Sequence, residues 1–250
     1  MDFQPPDPAD LDDVHSLNRA FLDYVTHADR PVAALDQLSE GLAESFLQLT
    51  PDGSQRLARS PFLIFSLAEH EHKRWHRLFE GRAHEDLISV LDKPNDAEAR
   101  LVSAALGFLW QLAKRRPYAA RVVSGASLGW CERLAESTLV DLFYHAATES
   151  GLLSFRMPDN VGFWRRLLAA GTSEEKPVRR AARLSALQSM LTKSHDDHYR
   201  RLPAAACSMP MLAQSVADQT SVSKSKARGY NTPSDESTVN KKPDEDVRER

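Results

Sequence analysis

Apolar positions are densest over residues 98–148, where they recur at helical spacing. Positions 101, 105, 108 and 112 share one helical face, and 102, 106, 109 and 113 share the next. A helix apolar that far round is buried between others rather than laid on a surface. Leu128, Cys131, Leu134, Ala135, Thr138, Leu139, Leu142, Phe143 and Ala146 repeat the pattern, and Pro117 permits a turn between the two arms. The spacing predicts a central helical hairpin around which the other elements pack.

Upstream, Leu11, Val14, Leu17, Phe21 and Tyr24 line one side of a helix over about 11–24, with Asp12 and Asp13 near the positive end of its dipole. Pro31 can open a short second helix through Leu35. Ser39 is an N-cap for 40–47, with Leu42, Phe46 and Leu47 as its apolar stripe. Thr50-Pro51 pairs an N-cap with proline at the first helical position, starting a helix over 51–59. The short Gln48-Leu49 link gives these two the outline of a helix-turn-helix.

The run Phe62-Leu63-Ile64-Phe65-Ser66-Leu67 suits a buried strand or the start of a helix. Its continuation through His70, His72 and His76 favours one long helix, closed near Gly81. A loop over 80–97 holds a short element at 87–91. Another short helix over 163–169 ends at Gly171, and Thr172-Ser173-Glu174-Glu175 reads as a capping box for a helix from 174 to about 192. In it Val178, Ala182, Leu184, Leu187 and Leu191 point inward, while Arg179, Arg180 and Arg183 point out. Beyond residue 202 the polar composition predicts a disordered tail. The expected fold is all-α: a multi-helix orthogonal bundle with a small helical unit at 1–61, a body at 62–202 and the tail at 203–250.

Charge sharpens this layout. Residues 1–61 carry four Lys or Arg against eleven Asp or Glu, whereas 62–202 carry 21 against 17. Two cysteines, Cys131 and Cys207, supply neither a disulfide framework nor zinc spacing. The first residues lack a signal peptide's basic and apolar regions, and no apolar run approaches the roughly 20 residues of a membrane span. A reduced, cytoplasmic protein is the expectation, without membrane, metal or cofactor.

Three motifs carry candidate chemistry. Gly125-Ala126-Ser127-Leu128-Gly129 matches the G-x-S-x-G elbow of serine hydrolases, but that motif works on a parallel sheet with a downstream acid and histidine. Without such a sheet, Ser127 reads as a helix cap and its glycines as close-packing residues. His72 and His76, one turn apart beside His70, have metal-ligand spacing, yet Arg74 breaks the metalloprotease order H-E-x-x-H. The third candidate is a phosphate or acidic-partner footprint made by Lys114, Arg115, Arg116 and Arg121, by Arg165 and Arg166, and by Arg179, Arg180 and Arg183.

Leu38-Ser39-Glu40-Gly41-Leu42-Ala43, then Phe46, Leu49-Thr50 and Leu57-Ala58, resembles the D subunit of the bacterial flagellar master transcriptional activator. Leu17-Asn18 with Phe21-Leu22 is similar to that family's first helix, and Phe62–Phe65 falls at its apolar stretch. The resemblance covers about residues 14–65; the connection from Asn18 to Leu38 is shorter than the family's, and no cysteine follows Leu63. It implies an all-helical, oligomeric regulator of transcription whose second subunit carries much of the DNA contact. DNA binding draws on Lys and Arg that neutralise phosphates, so the acidic 1–61 segment suits partner docking instead. The expected function is a non-enzymatic regulatory protein that contacts another protein subunit or a second copy of itself. Direct nucleic-acid binding through the arginines, and hydrolysis by Ser127, are the alternatives.

Overall fold

The structure, a computed structural model, describes residues 5–27, 35–81 and 97–192. Expectations for a helix opened by Pro31, for the element at 87–91 and for the tail at 203–250 fall on residues outside these. Within them the fold is all-α, with ten α-helices and one two-stranded ladder. Helix α1 (Pro8–His27) is followed by a 3₁₀ turn (Leu35–Gln37), α2 (Glu40–Leu47) and α3 (Pro51–Ala58). Strand β1 (Phe65–Ser66) leads to α4 (His72–Glu80). Four helices then follow: α5 (Ala97–Arg115), α6 (Pro117–Ser124), α7 (Leu128–Glu136) and α8 (Leu139–Thr148). Strand β2 (Ser154–Phe155), α9 (Val161–Gly171) and α10 (Lys176–Thr192) complete the described chain. No described helix is long and apolar enough to cross a membrane.

Helix α5 is the centre, burying Leu101, Val102, Ala105, Leu106, Leu109, Leu112 and Ala113 against α1, α6, α7 and α8. The return arm is made of three helices, because capping side chains interrupt what periodicity alone would continue. Pro117 starts α6, and Gly125, at φ 67°, ends it in the left-handed conformation that favours glycine. The Ser127 hydroxyl accepts the Trp130 N–H to start α7, and Thr138 accepts the Asp141 N–H to start α8, both at 3.1 Å.

The long helix expected over 62–79 does not form. Residues 62–64 pass through bends without helical structure, and β1 pairs antiparallel with β2 in the register Phe65 opposite Phe155 and Ser66 opposite Ser154. Distant side chains capture the backbone groups a helix would have used. Asn18 Nδ2 donates to the Ala58 and Phe62 carbonyls at 3.1 and 2.9 Å, while its Oδ1 accepts the Ile64 N–H at 2.9 Å. Leu63 donates its N–H to the Val123 carbonyl at 2.9 Å, and Arg156 Nε reaches the Leu63 carbonyl at 2.9 Å.

An aromatic cluster joins the segments on both sides of this non-helical stretch. Phe21 of α1 lies 5.1 Å from Phe65 and 5.0 Å from Phe155 between ring centroids, and Phe46 of α2 lies 4.7 Å from Phe155 and 5.1 Å from Trp164. Edge-on and tilted pairs at such spacing add to the area they bury.

Helix α10 is rotated from the expected phase. Ala186 and Met190 are buried, while Val178 and Leu184 stand 37 % and 57 % exposed. Arginine hydrogen bonding sets the turn. Arg183 leans inward to give Nη2–H to the Arg56 carbonyl at 2.6 Å, and Arg179 Nη1 donates to the Ser173 and Glu174 carbonyls at 2.7 and 2.6 Å.

Candidate functional site

Ser127 is the sequence's catalytic look-alike, and its oxygen is engaged as the cap of α7. The only ladder among the described residues is the two-residue antiparallel pair, not the parallel sheet an elbow needs. A Cβ at Gly125 would sit 2.8 Å from Met190 Cε and 3.1 Å from Arg156 Nη1, so side-chain tips would have to shift, and its φ of 67° is what favours glycine. Cys131, on the same helix as Ser127's cap, is fully buried, and burial pushes its thiol up to about 12 against a weaker opposing hydrogen bond from Ser124. It remains protonated and unreactive at neutral pH. His72 and His76 both lie on α4, but among the described residues no group of three or more His, Cys, Asp or Glu is arranged to hold a metal ion.

Beside Gly125 a recess of about 190 Å³ opens over a buried ion pair. Arg156 Nη1 meets Glu69 Oε1 at 2.5 Å, Nε meets the Leu63 carbonyl, and Nη2 meets the Phe65 carbonyl. Glu69 Oε2 accepts from the Ser66 hydroxyl at 2.7 Å and from the Leu67 N–H at 2.8 Å. Burial alone would raise the Glu69 carboxyl, but the Arg156 charge and these hydrogen bonds outweigh it and hold the group below its ordinary value. Every nitrogen of the guanidinium is spent on tying the 63–69 segment to β2. The pair fastens the non-helical stretch in place.

The arginines singled out in the sequence meet three fates. Arg115 and Arg116, at the end of α5, are clasped by acids at the start of α1. Arg115 pairs with Asp10 at 2.9 Å, and Arg116 pairs with Asp7 and, at 2.9 Å, with Asp10. Lys114 lies over the Trp110 ring, 4.0 Å from its centroid. Arg165 and Arg166 are exposed on α9, and Arg166 donates to the Gly162 carbonyl at 3.1 Å. On α10 Arg180 is exposed, whereas Arg179 and Arg183 are half-buried. The structure therefore leaves Arg165, Arg166 and Arg180 exposed and engages Lys114, Arg115, Arg116, Arg179 and Arg183 within the fold.

It gathers a different set. His15, Ser16 and Arg19 of α1 meet Gln55, Ala58 and Arg59, from α3 and its end, around a recess of about 150 Å³. Arg183 of α10 lies beside it through its bond to Arg56. The mutual field of these cations acts on His15 and Arg183. Burial, then the Asp12 carboxylate acting upward, then the Arg183 and Arg59 charges set the His15 imidazole, which ends below its ordinary value. Arg183 is itself lowered, by burial first and then by Arg179 and Arg59. Among the described residues neither Arg19 nor Arg59 makes an ion pair, and the Nε of Arg183 is buried without a hydrogen-bond partner.

Sequence reasoning missed His15, Arg19 and Arg59 because the acidic surplus of 1–61 hid them. The local signal was present: His15 and Arg19 are one turn apart on α1, and Arg56 and Arg59 are one turn apart at α3. Fold and recess together define a helical protein whose α1 and α3 flank a cationic cleft, with Arg183 of α10 nearby. Comparison with known protein families, with curated proteins and with solved structures finds no match.

Proposed function

We propose that this is a non-enzymatic helical regulatory protein, working in the cytoplasm through contact with another protein subunit or a second copy of itself. The observation that carries the reading is the outer face of α10. Pro177, Val178, Ala181 and Leu184 form an exposed apolar strip beside the exposed Arg180. Large aliphatic side chains left in water on one helix face favour burial against a partner, and an adjoining arginine is a common anchor at such interfaces. The likeness of residues 14–65 to a transcriptional activator subunit supports a role in transcriptional regulation.

Removing Arg115 and Arg116 into the clasp leaves fewer cations for a duplex footprint, which supports protein contact over direct DNA contact. The test is the full chain carrying Val178→Asp and Leu184→Asp, compared with wild type by light scattering and by co-purification from its native cell. The reading expects a dimer or a stoichiometric partner for wild type, lost in the variant while circular dichroism stays unchanged. A wild-type chain that is monomeric and co-purifies with nothing, or a variant that keeps its partner, contradicts it.

A further inference from the structure

We propose that the recess between α1 and the end of α3, beside Arg183 of α10, binds a phosphoryl dianion, carried either by a small molecule or by a phosphorylated side chain. The site is bounded by His15, Ser16, Arg19, Gln55, Ala58 and Arg59 and supported by Arg183. This goes beyond the docking role of α10, since it uses the inner edge of that helix and not the exposed Val178–Leu184 strip.

Three observations converge on that ligand. First, the cations come from separate parts of the chain, so tertiary structure holds like charges together against their own repulsion. Arg59 and Arg179 both act on Arg183, and Arg59 and Arg183 both act on His15. Second, acids do little to offset them. Asp12 stands 4.0 Å from His15 and Glu174 stands 3.5 Å from Arg56, and these carboxylates are 85 % and 88 % exposed. Exposed pairs of that kind are heavily screened and contribute little. Third, Arg183 adds to the charge from beside the recess, and its buried Nε has no partner among the described residues. Buried polar groups are normally satisfied, and an exception calls for a missing acceptor.

The chemistry selects the anion. Arg19 and Arg59 present planar forks that match tetrahedral phosphate oxygens two at a time, and Gln55 adds a neutral amide donor. Ser16 contributes less, because its hydroxyl already donates to the Asp12 carbonyl at 2.9 Å. A dianion gains more than a carboxylate from several cations at once. The recess, about 150 Å³, suits one such group with ordered water. A duplex needs an extended row of cations instead.

A bound dianion also reports on itself. His15 faces Asp12 and Arg19 on its own helix, Arg59 from α3 and Arg183 from α10, and at present burial and the two arginines outweigh Asp12. An added negative charge reverses that balance and moves the imidazole titration upward.

The experiment is a calorimetric titration of the full chain with inorganic phosphate, and with acetate at matched ionic strength, paired with the NMR titration of His15. Adenosine monophosphate and a phosphoserine peptide form two further arms that distinguish the sources. The expected result is saturable uptake of one phosphate per chain, weakened about tenfold or more by Arg19→Gln or Arg59→Gln. Lys73→Gln, on the surface of α4, leaves it unchanged, and the His15 titration moves upward with phosphate present. Tighter binding of the nucleotide assigns a small-molecule source, and tighter binding of the peptide assigns a phosphorylated partner. The Val178→Asp/Leu184→Asp chain binds phosphate normally even if it loses its partner, so the two readings fail separately. Phosphate taken up no better than acetate, Gln variants that bind like wild type, or an unmoved His15 each overturn the assignment.

Discussion

Arginines bracket helix α1 at two places, and the two places treat them in opposite ways. At its start Asp7 and Asp10 clasp Arg115 and Arg116, with Asp10 only 2 % exposed. About two and a half turns further along, Arg19 meets Arg59 near Arg183 of α10, with no acid of comparable burial between them. The clasp looks in sequence like a basic run available to a ligand, yet it is consumed in closing α1 onto α5. The recess looks in sequence like scattered residues of an acidic segment, yet its charge is left over. Whether an arginine serves the fold or a ligand depends on where its carboxylates fall in space. A run of basic letters does not reveal that.

Substitutions can break this contrast, and the largest effect belongs to the most fully compensated arginine. Arg156→Met leaves Glu69 charged and buried without its partner, and costs about 3–5 kcal/mol in denaturant unfolding. Adding Glu69→Gln to that chain returns part of the loss. Next comes the clasp. Asp10→Ala strands Arg115, leaves Arg116 with Asp7 alone, and is expected to lower stability by about 1–3 kcal/mol, read from the urea midpoint at constant slope.

Acid should act in the same order. Glu69 and Asp7 both titrate below their ordinary values when folded; for Asp7 the hydrogen bond from the Asp10 N–H leads and the one from Arg116 follows. The unfolded chain therefore binds protons first. The stability these groups contribute is full above the ordinary carboxylate range and drains away as pH falls through their lowered values. Unfolding free energies at pH 6 and pH 3 measure the drop, and Asp7→Ala should show a smaller one. The smallest effect is at the recess. Arg59→Gln removes a charge that stabilises nothing within the fold, so its unfolding free energy stays within about 0.5 kcal/mol of wild type. A loss as large as that of Asp10→Ala would erase the distinction between the two regions.

The same spatial logic separates what the sequence could show from what it could not. The all-α class was legible because α3 carries its Thr50 cap and Pro51 within a few residues of Leu57, and α5 carries its apolar stripe in one run. Residues 62–66 were not, since their hydrogen-bond partners Asn18, Val123 and Arg156 lie far along the chain. An apolar run alone is equally suited to a helix. Misplacing α10 has a related cause: Val178 and Leu184 are better hydrophobes than Ala186, but the bonds of Arg183 and Arg179 choose the buried face. As for the recess, its residues come from two stretches, 15–19 and 55–59, and the spacings His15/Arg19 and Arg56/Arg59 hinted at its walls without showing that they meet.

The central claim is that this fold spends some arginines on itself and holds others in reserve for an anion. Thermal unfolding in phosphate and in acetate at equal ionic strength tests it most directly, with Arg59→Gln and Asp10→Ala beside wild type. A ligand that binds only the folded chain raises its apparent stability. Wild type and Asp10→Ala should therefore both gain Tm specifically in phosphate, while Arg59→Gln should gain none. Equal melting of all three chains in the two salts, or a phosphate gain that survives Arg59→Gln, would contradict it.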